Sequence, residues 1–270
     1  MVATRWTDPL YLRHQYADSE QLRIRRETHE RYTVYDEATT TDPFTAGLLA
    51  HLNLRPGVTV LDVGCGPGTV HSLLRGARIL GLDTSFGMLR EARRIGCECI
   101  NADAQALPLL DACVDRVMAN HMLFHVADKL RALGEMRRVL RPGGRVVLTT
   151  NGAEFLPRLE ELHARAAREA GYIPEVGATH GFTLDDLDLV QRVFPNAQRQ
   201  VLRGALVCPD AEPVLRYYAS SAVNRIKDQP PEAGHRGVLL ARMRQLVDEI
   251  VASEGVFRDP KSVGWFTADV

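Results

Sequence analysis

The chain lacks any apolar run near the roughly 20 residues that a membrane helix needs, and residues 1–8 hold no hydrophobic stretch of the kind that drives secretion. It lacks a charge surplus. Lysine and arginine total 33 against 34 acids, a net charge of −1, where a nucleic-acid-binding protein usually carries a basic excess. It also lacks a C-x-x-C pair. The five cysteines, Cys65, Cys97, Cys99, Cys113 and Cys208, are odd in number, and three of them sit in or beside apolar, strand-like runs. Internal repeats and low-complexity segments are absent. These absences predict a cytoplasmic protein with reduced thiols, no metal site, no membrane attachment and no nucleic-acid partner. A small molecule is the expected partner, and the chain itself is expected to be a monomer or a homodimer. The 270 residues, 45% of them hydrophobic, suffice for one large α/β domain with a cap.

What is present is organised around residues 58–68. A β-branched apolar run ends in Asp62, and Gly64, Gly66 and Gly68 follow in G-x-G-x-G spacing before an apolar helical pattern opens at Thr69. That order predicts a buried parallel strand, a tight turn and a short helix reaching about Arg75. Glycines let backbone approach a ligand where a Cβ would clash, and a helix N-terminus offers unpaired N–H groups. Cys65 lies inside the turn. A dinucleotide turn would read G-x-G-x-x-G.

Three more strands follow, each with chemistry just past its end. Residues 79–82 lead into Asp83, 21 residues after Asp62, where an acid can accept both ribose hydroxyls of an adenosine. That need is shared by several nucleoside cofactors. Thr84 and Ser85 can cap a helix carrying Met88 and Leu89, which flank an adenine or fill the core. Residues 97–100 lead to Asp103 and Ala104, a carboxylate for the adenine amino group and backbone for the ring edge. Residues 114–119 lead to Asn120, His121 and, further along the exit loop, His125. A helix over 129–140 stops at Arg141-Pro142-Gly143-Gly144, and 145–150 is the fifth strand, followed by Asn151. The alternation predicts a doubly wound, mostly parallel sheet with its ligand crevice at the carboxyl ends of the strands.

On these residues the chain resembles the class I S-adenosylmethionine (SAM)-dependent methyltransferases, whose first motif is E/D-x-G-x-G-x-G. The resemblance covers about 58–150 well, with the pattern acid-x-x-x-Leu-Pro at 103–108 and a strand after it, and 263–268 is similar to the family's last antiparallel strand. It implies an α/β, seven-stranded Rossmann-like fold with a helical lid or cap, divided as 1–50 N-terminal lid, 51–152 and 186–270 core, and 153–185 cap insert. It implies SAM as cofactor, held by Asp62, Gly64, Cys65, Gly66, Gly68, Asp83, Thr84, Met88, Asp103, Ala104 and Asn120. Asp62 would face the cationic amine and sulfonium. The expected activity is methyl transfer to oxygen or nitrogen of a small molecule.

Residues 15–32, 119–126 and 150–152 resemble a group of small bacterial methyltransferase-like proteins to which azetidine-2-carboxylic acid synthases are similar. That adds an alternative, in which the α-amine of SAM attacks its own side chain and expels methylthioadenosine. His121, Asn120 and Tyr16 are the catalytic candidates. His121 is a base or holds the loop, and His125 is read as holding the loop. Tyr32, Tyr35, Arg25 and Asn151 are candidates for the lid and the substrate. Aromatic rings cover a sulfonium by cation–π attraction, and an arginine pairs a carboxylate. The competing reading of the N-terminal arginines is a solvated helix face.

Overall fold

The computed structural model describes residues 7–36, 42–175, 181–230 and 233–270. The expectation about residues 1–6 and part of the cap insert, 176–180, lie outside the described residues. The chain begins with α1 (Pro9–Gln15), α2 (Glu20–Tyr32) and the three-residue strand β1 (Thr33–Tyr35), then α3 (Pro43–Leu52). Asp42 caps α3 by accepting from the Thr45 N–H, a contact of about 1 kcal/mol, and Asn53 ends it in the left-handed region. The parallel unit is β2 (Thr59–Val63), β3 (Arg78–Asp83), α4 (Phe86–Arg94), β4 (Glu98–Asn101), β5 (Val114–Asn120), α5 (Lys129–Val139) and β6 (Leu140–Phe155). Then follow α6 (Pro157–Glu169), α7 (Leu187–Gln191), β7 (Gln198–Cys208), α8 (Ala211–Ala219), α9 (His235–Glu254) and β8 (Phe257–Asp269).

The sheet order is β1-β7-β8-β6-β5-β2-β3-β4. The neighbours from β4 to β6 pair in parallel, and β8, β7 and β1 pair antiparallel. It is therefore eight-stranded rather than seven-stranded. The added edge strand is β1, which runs against Gly204–Leu206 of β7 and is too short to show a periodic pattern in sequence. Alternation divides the sheet's side chains between two cores. Val60, Met118 and Val147 face Leu48 and Leu52 of α3. Leu61, Val117, Val146 and Leu148 face Leu133, Met136 and Val139 of α5. A third core joins α6, α8 and α9 over Leu206, Cys208 and Phe257. Residues 153–155 continue β6, so α6 starts at Pro157, and among the described residues no helix is long and apolar enough to cross a membrane.

The helix expected after the glycine turn is absent. Residues 69–75 lie between Gly68 (φ +76°) and Gly76 (φ +79°), and between those two left-handed stops only the 3₁₀ turn His71–Leu73 forms. Among the described residues no α-helix forms between β2 and β3, and Leu22, Arg23 and Arg26 of α2 face that side of β3 across open space. A cavity of about 630 Å³ remains there, lined by Leu22, Arg26, His71, Arg78, Ile79 and Ile95 among others. It lies on the sheet face, and neither Asp83, Asp103 nor Asn120 lines it.

The N-terminal helices are fastened to α4. The Ser85 hydroxyl donates to the Tyr16 carbonyl at 2.8 Å, and the Ser19 hydroxyl and N–H donate to Glu91 at 2.5 and 3.2 Å. Gly87 permits this, because a Cβ there would overlap the Ala17 carbonyl oxygen. Gly87→Ala is expected to cost roughly 1–3 kcal/mol, the scale of overpacking, and to speed tryptic cleavage at Arg23 and Arg26. Thermal unfolding together with limited proteolysis checks this, and unchanged cleavage would show that α2 does not depend on that seam.

Candidate active site

At the carboxyl edge the glycine turn and the β3 tip share one carboxylate. Asp83 accepts from the Gly66 N–H at 2.9 Å and from the Ser85 N–H at 2.8 Å. Burial raises its pKa, and the backbone donors oppose that shift. A carboxylate offers about four lone-pair sites, so acceptor capacity remains on Asp83. The turn itself hangs on β3, with Gly64 and Cys65 N–H groups donating to the Leu82 carbonyl at 2.7 and 2.9 Å. Gly64 (φ +70°) and Gly66 (φ +54°) are both left-handed, and a Cβ on Gly64 would press on Met122. Asp62 is buried inside the turn. Its Oδ2 meets His71 Nε2 at 2.8 Å, and its Oδ1 has no partner among the described residues. Burial raises the Asp62 pKa against the opposing effect of His71. The cap of α4 is Ser85, through Met88 N–H, while Thr84 is exposed and Met88 sits in the core. Asp103 is exposed and bonds Gln105, next to buried Ala104. The thiol pKa of Cys65 is pushed up by burial, so it is inert, and all five cysteines are free.

Tyr16 reaches this edge from the N-terminal segment. Its hydroxyl meets His125 Nε2 at 2.7 Å, burial pushes its pKa up to about 12, and the Arg25 guanidinium lies 5.9 Å from its ring. His125 thus joins the exit loop to α1–α2 rather than to its own backbone alone. At the β5 exit His121 adopts φ +49°, an uncommon conformation for a non-glycine residue. Its N–H is held by the Thr149 carbonyl and hydroxyl, both at 3.1 Å, and its ring lies 5.5 Å from Phe44. The Thr149 hydroxyl donates to Asn120 at 3.4 Å, and Asn151 is buried two residues further along β6.

Tyr32 is not brought here; it packs toward α8 with Arg31 over its ring. Tyr35 is instead beside a group the sequence reading missed, Lys261. Lys261 is 6% exposed, and its ammonium donates to His29 Nδ1 at 3.2 Å and to Thr33 Oγ1 at 3.1 Å and lies 5.7 Å from the Tyr35 and Phe155 ring centres. Among the described residues no carboxylate is in ion-pair range of it. The available signal was parity: Phe257, Asp259, Lys261 and Val263 alternate along one side of a strand, and all four are buried.

Residues 61–148 match the family described as "Methyltransferase domain". That match covers about a third of the chain. Over 118 residues it is 41% identical to a malonyl-[acyl-carrier protein] O-methyltransferase of Pseudescherichia vulneris, covering 42% of this chain and 47% of that protein. Over 110 residues it is 42% identical to the ubiquinone/menaquinone biosynthesis C-methyltransferase UbiE of Acidiphilium cryptum, covering 36% and 43%. The matched stretch spans less than half the length of these relatives. Among solved structures, the YcgJ protein of Bacillus subtilis superposes with TM-score 0.55 at 17% identity over 83% of this chain and 97% of that one. The [4+2]-cyclase SpnF superposes with TM-score 0.55 at 17% identity over 96% and 95%. These two likenesses concern the fold alone. The family's cofactor is SAM, and residues of the matched stretch fit it: the turn leaves backbone approachable at Gly66, Asp83 keeps acceptor capacity, and Asp62 Oδ1 has no partner among the described residues.

Burial lowers the Lys261 pKa from 10.5 to about 8. The folded protein then holds fewer protons than the unfolded chain between those values, so stability must rise with pH across that window. The groups facing Lys261 are His29, Thr33, Tyr35 and Phe155, and His29 is itself kept neutral by burial and by neighbouring Lys261, His121 and Arg25. Between pH 7.5 and 9.5 the wild type is expected to gain on the order of 2 kcal/mol relative to Lys261→Met. Urea titrations at stepped pH measure it, and parallel pH profiles for the two proteins would contradict it.

Proposed function

We propose that this chain transfers the methyl group of SAM to an oxygen or nitrogen of a small-molecule acceptor. The observation that carries the reading is the Asp83 carboxylate, tied to both the glycine turn and the start of α4 with acceptor sites to spare. In this reading Asp83 takes the ribose hydroxyls, Asp103 and Ala104 meet the adenine edge, and Asp62, Gly64, Cys65, Gly66 and Gly68 line the methionyl end. Tyr16, latched to His125, and Arg25 close that end from above, the arginine holding the SAM carboxylate. The N-terminal helices act as the lid.

When bound, SAM supplies a methyl carbon already activated by its sulfonium, so the chain's part is alignment, exclusion of water and removal of one proton. His121 is assigned that proton, taken from the acceptor's hydroxyl or amine while the C–S bond breaks and the new C–O or C–N bond forms. Its left-handed backbone, held by Thr149, supports the assignment, because strain of this kind gathers at functional positions. The curated relatives include O- and C-methyltransferases, and the methyltransferase family match falls on residues 61–148, which hold Asp62, Asp83, Asp103 and His121.

Asn120, His121 and Asn151 lie on adjacent strands and also suit the intramolecular reaction, in which the SAM amine displaces methylthioadenosine. Incubation with methyl-labelled SAM separates the two. The expected result is S-adenosylhomocysteine plus a labelled product, formed only when a metabolite mixture is added. Methylthioadenosine released above the buffer rate from SAM alone would replace transfer with cyclisation. Asp83→Asn should weaken SAM roughly 10–100-fold, the value of one hydrogen bond to a charged group, and an unchanged affinity would remove Asp83 from the site.

A further inference from the structure

Lys261 sits far from the cofactor residues and yet on the same edge of the sheet. It is paired in register with Phe155, at the carboxyl end of β6, and with Gly204 of β7. In sheet order β8 is two strands from β5 and three from β2, and strands are about 4.8 Å apart. Across the sheet Lys261 is therefore roughly 10 Å from the line of β5, and along it Lys261 lies four residues, about 13 Å, beyond Trp265, which pairs with the Thr149 that faces Asn120, so it is beyond reach of the glycine turn. It is one of three lysines among 33 basic residues. Two of its N–H groups are used, on His29 and Thr33. With His29 Nε2 facing the Tyr217 hydroxyl at 3.3 Å, the Nδ1 atom is the acceptor, so His29 brings no counter-charge. The third N–H has no partner among the described residues. A buried ammonium without an anion is costly, and proteins retain one where a ligand completes it. The rings of Tyr35 and Phe155 on either side suit a flat apolar body.

We propose that Lys261 binds a carboxylate of the acceptor. This rests on the methyltransferase reading and adds the substrate class: an elongated carboxylic acid with its reacting hydroxyl or amine at the opposite end, roughly 16 Å away beside His121. Arg25, next to Tyr16, serves the cofactor's own carboxylate, so two separate cations answer two separate anions.

The test uses the full chain labelled with ¹³Cε-lysine, saturated with S-adenosylhomocysteine, and the probes benzoate, benzamide and phenyl phosphate. Three lysines give three resonances. Benzoate is expected to raise the titration midpoint of one resonance by about one pH unit or more, and that resonance should vanish in Lys261→Met. Calorimetry should show benzoate binding about tenfold or more tighter than benzamide or phenyl phosphate in the wild type, with the preference lost in Lys261→Met and in Lys261→Gln. S-adenosylhomocysteine affinity should stay within about twofold in both variants, which also shows that they fold. Benzoate binding no better than benzamide, a preference that survives in the variants, or a preference for phenyl phosphate overturns the proposal. So does loss of S-adenosylhomocysteine affinity in both variants, which would assign Lys261 to the cofactor. Wild type that does not bind S-adenosylhomocysteine at all overturns the methyltransferase reading first, and this inference with it.

Discussion

The site depends on one carboxylate accepting two backbone N–H groups. Asp83 joins Gly66 of the turn to Ser85 at the head of α4, and Ser85 in turn donates its hydroxyl to the Tyr16 carbonyl. Turn, strand tip, helix start and N-terminal segment are thereby held in one arrangement through three hydrogen bonds. The missing helix after the turn makes this more important. α2 faces one side of β3 across a cavity, and its N-terminal end is held to Glu91 of α4, while Ser85 and Gly87 meet the residues just before it. A carboxylate with charged-group hydrogen bonds is worth more than a neutral pair in such a half-buried place, and it retains acceptor capacity toward a ligand.

Charge is distributed along the edge in a way that separates two tasks. Acids cluster on the β2–β3–β4 half, where Asp62, Asp83 and Asp103 follow strand ends. Lys261 lies across β5 and β6 from them, between Tyr35 and Phe155. His121 stands at the strand between the halves in a strained conformation fixed by Thr149. A sulfonium nucleoside suits the first half and an anionic acceptor the second. In the methyltransferase reading the imidazole at the border is where bond making occurs.

The parallel half was legible because its signals are local. A glycine turn and an acid directly after a strand are set within a few residues, and Asp83 and the capping Ser85 are found where their spacing put them. The same locality misled at residues 69–75, where an apolar pattern was present but two left-handed glycines allow only a 3₁₀ turn. The antiparallel half was less legible. Pro260 and the polar residues beside it resemble a loop, yet β8 runs through them because β6 shifts register between Asn151 and Phe155, and the Pro260 carbonyl accepts from Leu156. With that strand unread, the buried side chain of Lys261 was unread too, and so was β1, which exists only because β7 offers it an edge. Tyr32 and Tyr35 show the limit of composition: three residues apart, one packs toward α8 and the other meets Lys261.

The central claim is that the carboxyl edge between β2 and β4 grips an adenosine-bearing sulfonium cofactor. Titration calorimetry of the wild-type chain with S-adenosylhomocysteine, run beside a nicotinamide dinucleotide, tests it most directly. Saturable heat with the first and none with the second is the result this account predicts. Heat with the dinucleotide and none with S-adenosylhomocysteine would contradict it.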